Sequence, residues 1–328
     1  MKKYLRHIFW FCSPVIVLLL AYMIDDPFRM YWPGEDLYDP DARKQCVNDA
    51  YRGIRWMNQY NDAMHYNSFI IGSSRSDFYY VDDWKQYIGE NAGCFHFDQS
   101  GDNLLGGLQR VRYLYNRINR IDNMLLIMDI EYLADMTPRK GHLFRQPWQV
   151  TKEWDFFAYN WECIRAFYTK EYQRKFWGID KEEKILPYYY IPEYNELHKN
   201  EVEELLDTNP EAYYATLEGP YQLYERHYTD SVADPVIESK QRAALEELHS
   251  LLINGKTDYR IVISPLYNQI KLNPQDYKIL VDIFGEGRVF DFSGVNEFTE
   301  DTTNYYEISH YRPRVCQQIM RIIYQNQR

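Results

Sequence analysis

The apolar run at residues 124–130 constrains this chain most: it has no polar alternation before Asp129. A strand with no polar face has to be buried on both sides, which places it centrally in a parallel sheet covered by helices. Shorter apolar runs at 69–71, 94–97, 260–264 and 289–292 supply four more strands. Between them, Leu104, Leu105, Leu108, Val111, Leu114 and Ile118 recur at helical spacing, and residues 312–325 read as a closing helix with Pro313 in its first turn. Strands alternating with helices predict an α/β fold, a three-layer α/β/α sandwich with a mostly parallel five-stranded sheet. The alternation breaks at about 136–240, a stretch rich in Trp and Tyr. It reads as a largely helical insertion between the third and fourth strands, which either covers a site, binds a partner or extends the scaffold.

The N-terminus sets the compartment. Lys2, Lys3, Arg6 and His7 precede an apolar run at 8–24, which Asp25, Asp26 and Pro27 close. That length is at the short end of a bilayer span, for which about 20 residues are usual. Positive charge before it and acidic charge after it predict a cytoplasmic N-terminus and an exported body. The run lacks a small-x-small cleavage site and no Cys follows it, so an uncleaved signal anchor over 1–26 is expected, with a cleaved signal peptide as the rival. Residues 27–66, with a helical pattern at 41–60, link this anchor to the domain at 67–328.

A net charge of −11, with no face that concentrates Lys and Arg, argues against nucleic acid. The 32 Tyr and 8 Trp of an exported chain suit a surface that stacks on sugar rings. Of the five cysteines, Cys12 lies in the apolar run, and Cys46, Cys94, Cys163 and Cys316 are too widely spaced to suggest a disulfide framework. No Cys or His cluster has metal-ligand spacing, so neither a metal nor a cofactor is expected.

In a parallel α/β sheet, ligands bind beyond the carboxyl ends of the strands. Ser74, the Gly101 loop, Asp129 and Ser264 all fall at such ends. Gly72 allows a sharp turn that exposes a hydroxyl, and the N–H groups after it can face a ligand. A phosphate-binding turn at 72–76 is a different possibility, although neither GxGxxG nor GxxxxGK[ST] is present. Near the other end of the chain, Glu307 stands three residues before His310. A serine needs a base to take its proton, and the base needs a third group to orient it. Arg75 follows the serines and can pair with a carboxylate, Asp129 or Asp98, or hold an anionic substrate.

The serine turn at the first strand's end and the acid-x-x-His near the C-terminus together resemble the SGNH (GDSL-type) hydrolase superfamily. The closer similarity is to its membrane-tethered branch, which includes DltD-like and alginate-acetylation-like proteins. The resemblance covers about 67–135 and 258–326 and implies an SGNH/flavodoxin-like sheet. Gly72-Ser73-Ser74-Arg75 aligns with Gly-Asp-Ser-Leu, so it implies Ser74 as nucleophile, His310 as base and Glu307, in place of the usual Asp, as the orienting acid. The N–H of Ser74 and Gly101, the second-block glycine, would be oxyanion donors. Asp129 stands where the family has an asparagine donor, and an ionised carboxylate there would repel an oxyanion; Asn103 is the expected substitute donor. Ser264 is expected to line the pocket. The implied activity is that of an acyl esterase or O-acyltransferase acting on a cell-surface or secreted glycan, beside a membrane-bound O-acyltransferase as partner. The alternative is a non-catalytic accessory protein that keeps the fold and binds glycan.

Overall fold

The computed structural model describes residues 2–32, 47–152, 154–177, 188–226 and 231–325. Helices α1 (Lys2–Asp25) and α2 (Asp49–Met64) lead into β1 (Ser68–Ile71), α3 (Val81–Ile88), β2 (Cys94–His96), α4 (Leu104–Arg117), β3 (Asn123–Met128) and α5 (Ile130–Ala134). Next come α6 (Asp155–Phe167), α7 (Lys170–Phe176), a hairpin of β4 (Tyr189–Ile191) and β5 (Glu196–His198), α8 (Asn200–Thr208) and α9 (Pro210–Tyr214). The chain closes with α10 (Ser239–Gly255), β6 (Asp258–Ile263), α11 (Pro274–Phe284), β7 (Val289–Asp291), α12 (Glu297–Glu300), β8 (Tyr305–Glu307), β9 (His310–Tyr311) and α13 (Pro313–Gln325).

Five strands form one parallel sheet in the order β2-β1-β3-β6-β7. Each matches a run read from the sequence to within two residues; β1, β2 and nearly all of β3 and β6 are buried, whereas β7, at the sheet edge, is only partly so. Alternate residues feed two separate apolar clusters. Phe69, Ile71, Met124, Leu126 and Ile261 join one with α2, α4, α10 and α11. Ile70, Leu125, Ile127 and Val262 join the other with α3, α8 and α13.

The expected helix at 41–60 is found as Asp49–Met64, while residues 41–46 lie outside the described residues. The stretch at 136–240 is helical as expected in α6–α9, and it also carries the β4–β5 hairpin, which the sequence reading did not anticipate. The described cysteines, Cys12, Cys94, Cys163 and Cys316, are free thiols; Cys46 lies outside the described residues.

The stretch Arg6–Asp25 is 20 residues long, apolar enough to cross a membrane, and almost wholly exposed. Its last turn is docked. Tyr22 packs on Phe28, Tyr31 and Phe167, and the Asp26 carboxylate accepts from the N–H groups of Met30, Tyr31 and Trp32.

Candidate active site

The strand ends meet at one edge of the sheet, and Gly72 sets the first turn. A Cβ there would stand 2.8 Å from the Ser76 side chain and 3.0 Å from the Ile127 carbonyl, so only glycine fits. The chain then enters a 3-10 turn, Ser74–Ser76, whose N-cap is Ser73. Ser76 is buried and donates its hydroxyl to the Ser73 carbonyl, which leaves Ser74 as the half-buried, outward serine. Behind the turn, the buried Arg110 donates to the carbonyls of Gly72 and Phe97, each at 2.9 Å, and pairs with Asp102 at 2.5 Å. One side chain of α4 thus fixes the ends of β1 and β2 together.

The acid-x-x-His motif lies on a tight antiparallel hairpin. Glu307 ends β8, His310 opens β9, and the two residues are cross-strand partners. Partners across a strand pair present their side chains on the same face. His310 Nδ1 bonds the Glu307 carboxylate, and its Nε2 is 2.8 Å from Ser74 Oγ. The other Glu307 oxygen accepts from the Ser309 N–H at 2.7 Å. Burial opposes ionisation of Glu307, but His310, the Ser309 N–H and the charge of Lys199 outweigh it and hold the carboxyl below its usual value. With Nδ1 as the donor to Glu307, Nε2 is the lone pair that faces the Ser74 hydroxyl. Serine, imidazole and carboxylate therefore form a continuous hydrogen-bonded chain.

Arg75 pairs with Asp129 at 2.6 Å and with Glu131 at 2.8 Å. The other Asp129 oxygen caps α5 by accepting from Tyr132 N–H. Asp129 is thus neutralised and turned onto its own helix, which removes the objection that a free carboxylate would face the oxyanion. Among the described residues, neither the Ser74 N–H nor the Gly101 N–H has a protein acceptor. Gly101 holds a left-handed φ of +61°, which glycine adopts without strain.

Two expected residues have other duties. Asn103 is not a spare donor: its oxygen caps α4 through Gly106 N–H and its amide donates to the Thr137 carbonyl. Buried Ser264 shares a hydrogen bond with the Tyr311 hydroxyl, which in turn meets that of Tyr79, so it supports the β9 strand from beneath. Asp98, the other acid considered for Arg75, stands beside His96 instead.

The sequence reading missed the contribution of the insertion. Lys199 Nζ lies 5.2 Å from the Phe78 ring and 4.8 Å from the Tyr306 ring, between the residues that follow Asp77 and precede Glu307. Burial pulls its pKa below the usual lysine value, while Asp77 and Glu307 oppose that shift. Tyr80, His198 and Tyr189 form a three-ring ladder, with Tyr189 at its exposed end. Little in the sequence hints at this, because the contacts of Lys199 with Phe78 and Tyr306, and of His198 with Tyr80, join positions more than a hundred residues apart.

No protein-family model matches this chain, and no curated protein is similar to it.

Proposed function

We propose that this chain is an exported, membrane-anchored acyl esterase or O-acyltransferase of SGNH type, in which the sheet and its two helical flanks form the three-layer sandwich of that superfamily. The observation that carries this is the hydrogen-bonded chain from Ser74 through His310 to Glu307 at the carboxyl edge of a parallel sheet. Ser74 Oγ attacks the acyl carbonyl as its proton passes to His310 Nε2, and Glu307 stabilises the imidazolium. The oxyanion faces the N–H groups of Ser74 and Gly101. When the intermediate collapses, His310 returns the proton to the departing alkoxide and an acyl-Ser74 remains. Water or a sugar hydroxyl then takes the acyl group by the same steps in reverse. The ladder ending at Tyr189 supports a glycan as the substrate, since a sugar face can stack on it. A membrane-bound O-acyltransferase is the partner that such a tethered acyl carrier fits.

Retention of the anchor is supported by the docking of Tyr22 on α6, a contact that cleavage would remove. The accessory reading draws on Asp129, and its pairing with Arg75 weakens that support. The test is labelling of the full chain in detergent with a fluorophosphonate. Labelling of wild type that is lost in both Ser74→Ala and His310→Ala is expected. A folded wild type that stays unlabelled and does not cleave a short acyl ester would favour the accessory protein.

A further inference from the structure

The exposed tryptophans are not scattered. Trp56 and Trp84 are buried; of the exposed ones, Trp10 and Trp32 lie on and just after α1, and Trp154, Trp161 and Trp177, 83%, 59% and 67% exposed, lie on or beside α6 and α7. Phe157, 68% exposed, and Tyr168, 38% exposed, join them. At 3.6 residues per turn, positions 154, 157, 161, 165 and 168 fall within about 80° of one another on the helix. One face therefore shows Trp, Phe, Trp, Arg and Tyr. The opposite face, Tyr159, Cys163 and Phe167, is buried against Tyr22 of α1 and against Phe28.

The depth of α6 follows from its contacts with α1. Tyr159, Cys163 and Phe167 cluster with Tyr22, and one step later Tyr168 donates its hydroxyl to the Leu18 carbonyl at 2.5 Å. The C-terminal end of α6 therefore stands beside the apolar span of α1. Leu18 is seven residues before Asp25, about 10 Å down a helix rising 1.5 Å per residue. Aromatic rings of this kind concentrate at the bilayer interface, where a monotopic helix sinks its apolar face about 5–10 Å. Exposed Arg165 and Lys170 can reach back to the headgroups. We propose that α6 and its junction with α7 lie in the membrane interface alongside α1, as a second lipid contact through Trp154, Phe157, Trp161 and Tyr168.

This rests on α1 being in the bilayer and is independent of the acyl-transfer chemistry. The test uses the full chain in nanodiscs of phosphatidylcholine and phosphatidylglycerol, with a phosphatidylcholine that carries a diazirine in its acyl chain. After irradiation, labelled peptides are mapped. Label on both α1 and α6 is expected, with α6 several-fold above α10, whose Ile253 is equally apolar and exposed. A Trp154→Ser, Phe157→Ser, Trp161→Ser variant with an unchanged melting temperature should lose the α6 label and keep that on α1. Label on α1 alone, in a bilayer holding no other protein, would overturn the proposal and leave the face to a protein partner. Label on α6 no stronger than on α10 would overturn it as well. Label on neither helix would remove the anchor along with it.

Discussion

Arg75 shows how a single residue makes the site's charge pattern workable. It follows Ser74, the proposed nucleophile, and pairs with Asp129, the carboxylate whose position would be the least suited to the proposed oxyanion. Arg75→Met should lower the rate of acyl-enzyme formation by roughly tenfold or more, because a like charge then opposes the transition state. Asp129→Asn in the same chain should recover much of that loss. Additive losses in the two single variants and the double would show that the pair acts independently. Glu307→Gln tests the other end of the hydrogen-bonded chain, and a drop of about 10³–10⁴ in acylation is expected from a mis-oriented imidazole. Asp77 makes a different prediction. Burial, Asp98 and Asp49 push its pKa well above the usual 3.8, while burial of Asp98 is outweighed by His96 and Arg52, which keep that acid charged. A raised folded-state value means that the contribution of Asp77 to stability is intact below pH 3.8 and is lost as pH rises through the folded value. Asp77→Asn should therefore raise the denaturation midpoint above that of wild type at pH 8 and have no such effect at pH 3.5. A difference in denaturation midpoint that does not change with pH would sink this assignment.

At the scale of elements, the parallel strands were legible because burial on both faces writes continuous apolar runs into the sequence. Their ends were legible too, since Gly72, Asp98 and Asp129 interrupt those runs where the chain must turn. The Glu307-x-x-His310 spacing was visible, but not that a tight hairpin makes the two cross-strand partners. The β4–β5 hairpin escaped because its strands are three residues long and half-exposed, so they leave no apolar run. Arg110 could not be read at all. In sequence it is one polar residue within an amphipathic helix, whereas in the fold it is wholly buried and ties together the ends of two strands. Removing it by Arg110→Met leaves Asp102 buried without its cation, which should cost about 3–5 kcal/mol of stability in a denaturant titration. Asp102→Leu added to that variant should restore part of the loss. If the single variant is as stable as wild type, the ends of β1 and β2 are held by the sheet alone.

For the whole molecule, the question is whether α1 is a leash or a structural part. A leash would leave the domain free to tumble at the membrane surface. Here Asp26 collects three N–H groups just beyond the helix, and Tyr31 donates to Asn160 of α6 at 2.7 Å, so the exit from α1 is fixed in direction. With α1 in a bilayer, as proposed, the domain would be held at one height and orientation above it, which would suit the proposed work on a substrate delivered at the membrane. Two measurements follow. The chain isolated from membranes should keep residues before Asp25, resist alkaline extraction, and show no N-terminus at about residue 25. Tyr22→Ser should speed amide exchange in α6 while leaving β3 unchanged, because the lost packing of an aromatic side chain, about 2–4 kcal/mol, is local to that cluster. Cleavage in the mature protein, or α6 exchange indifferent to Tyr22, would mean that α6 is held without α1, by Phe28, Tyr31, Tyr51 and Trp148.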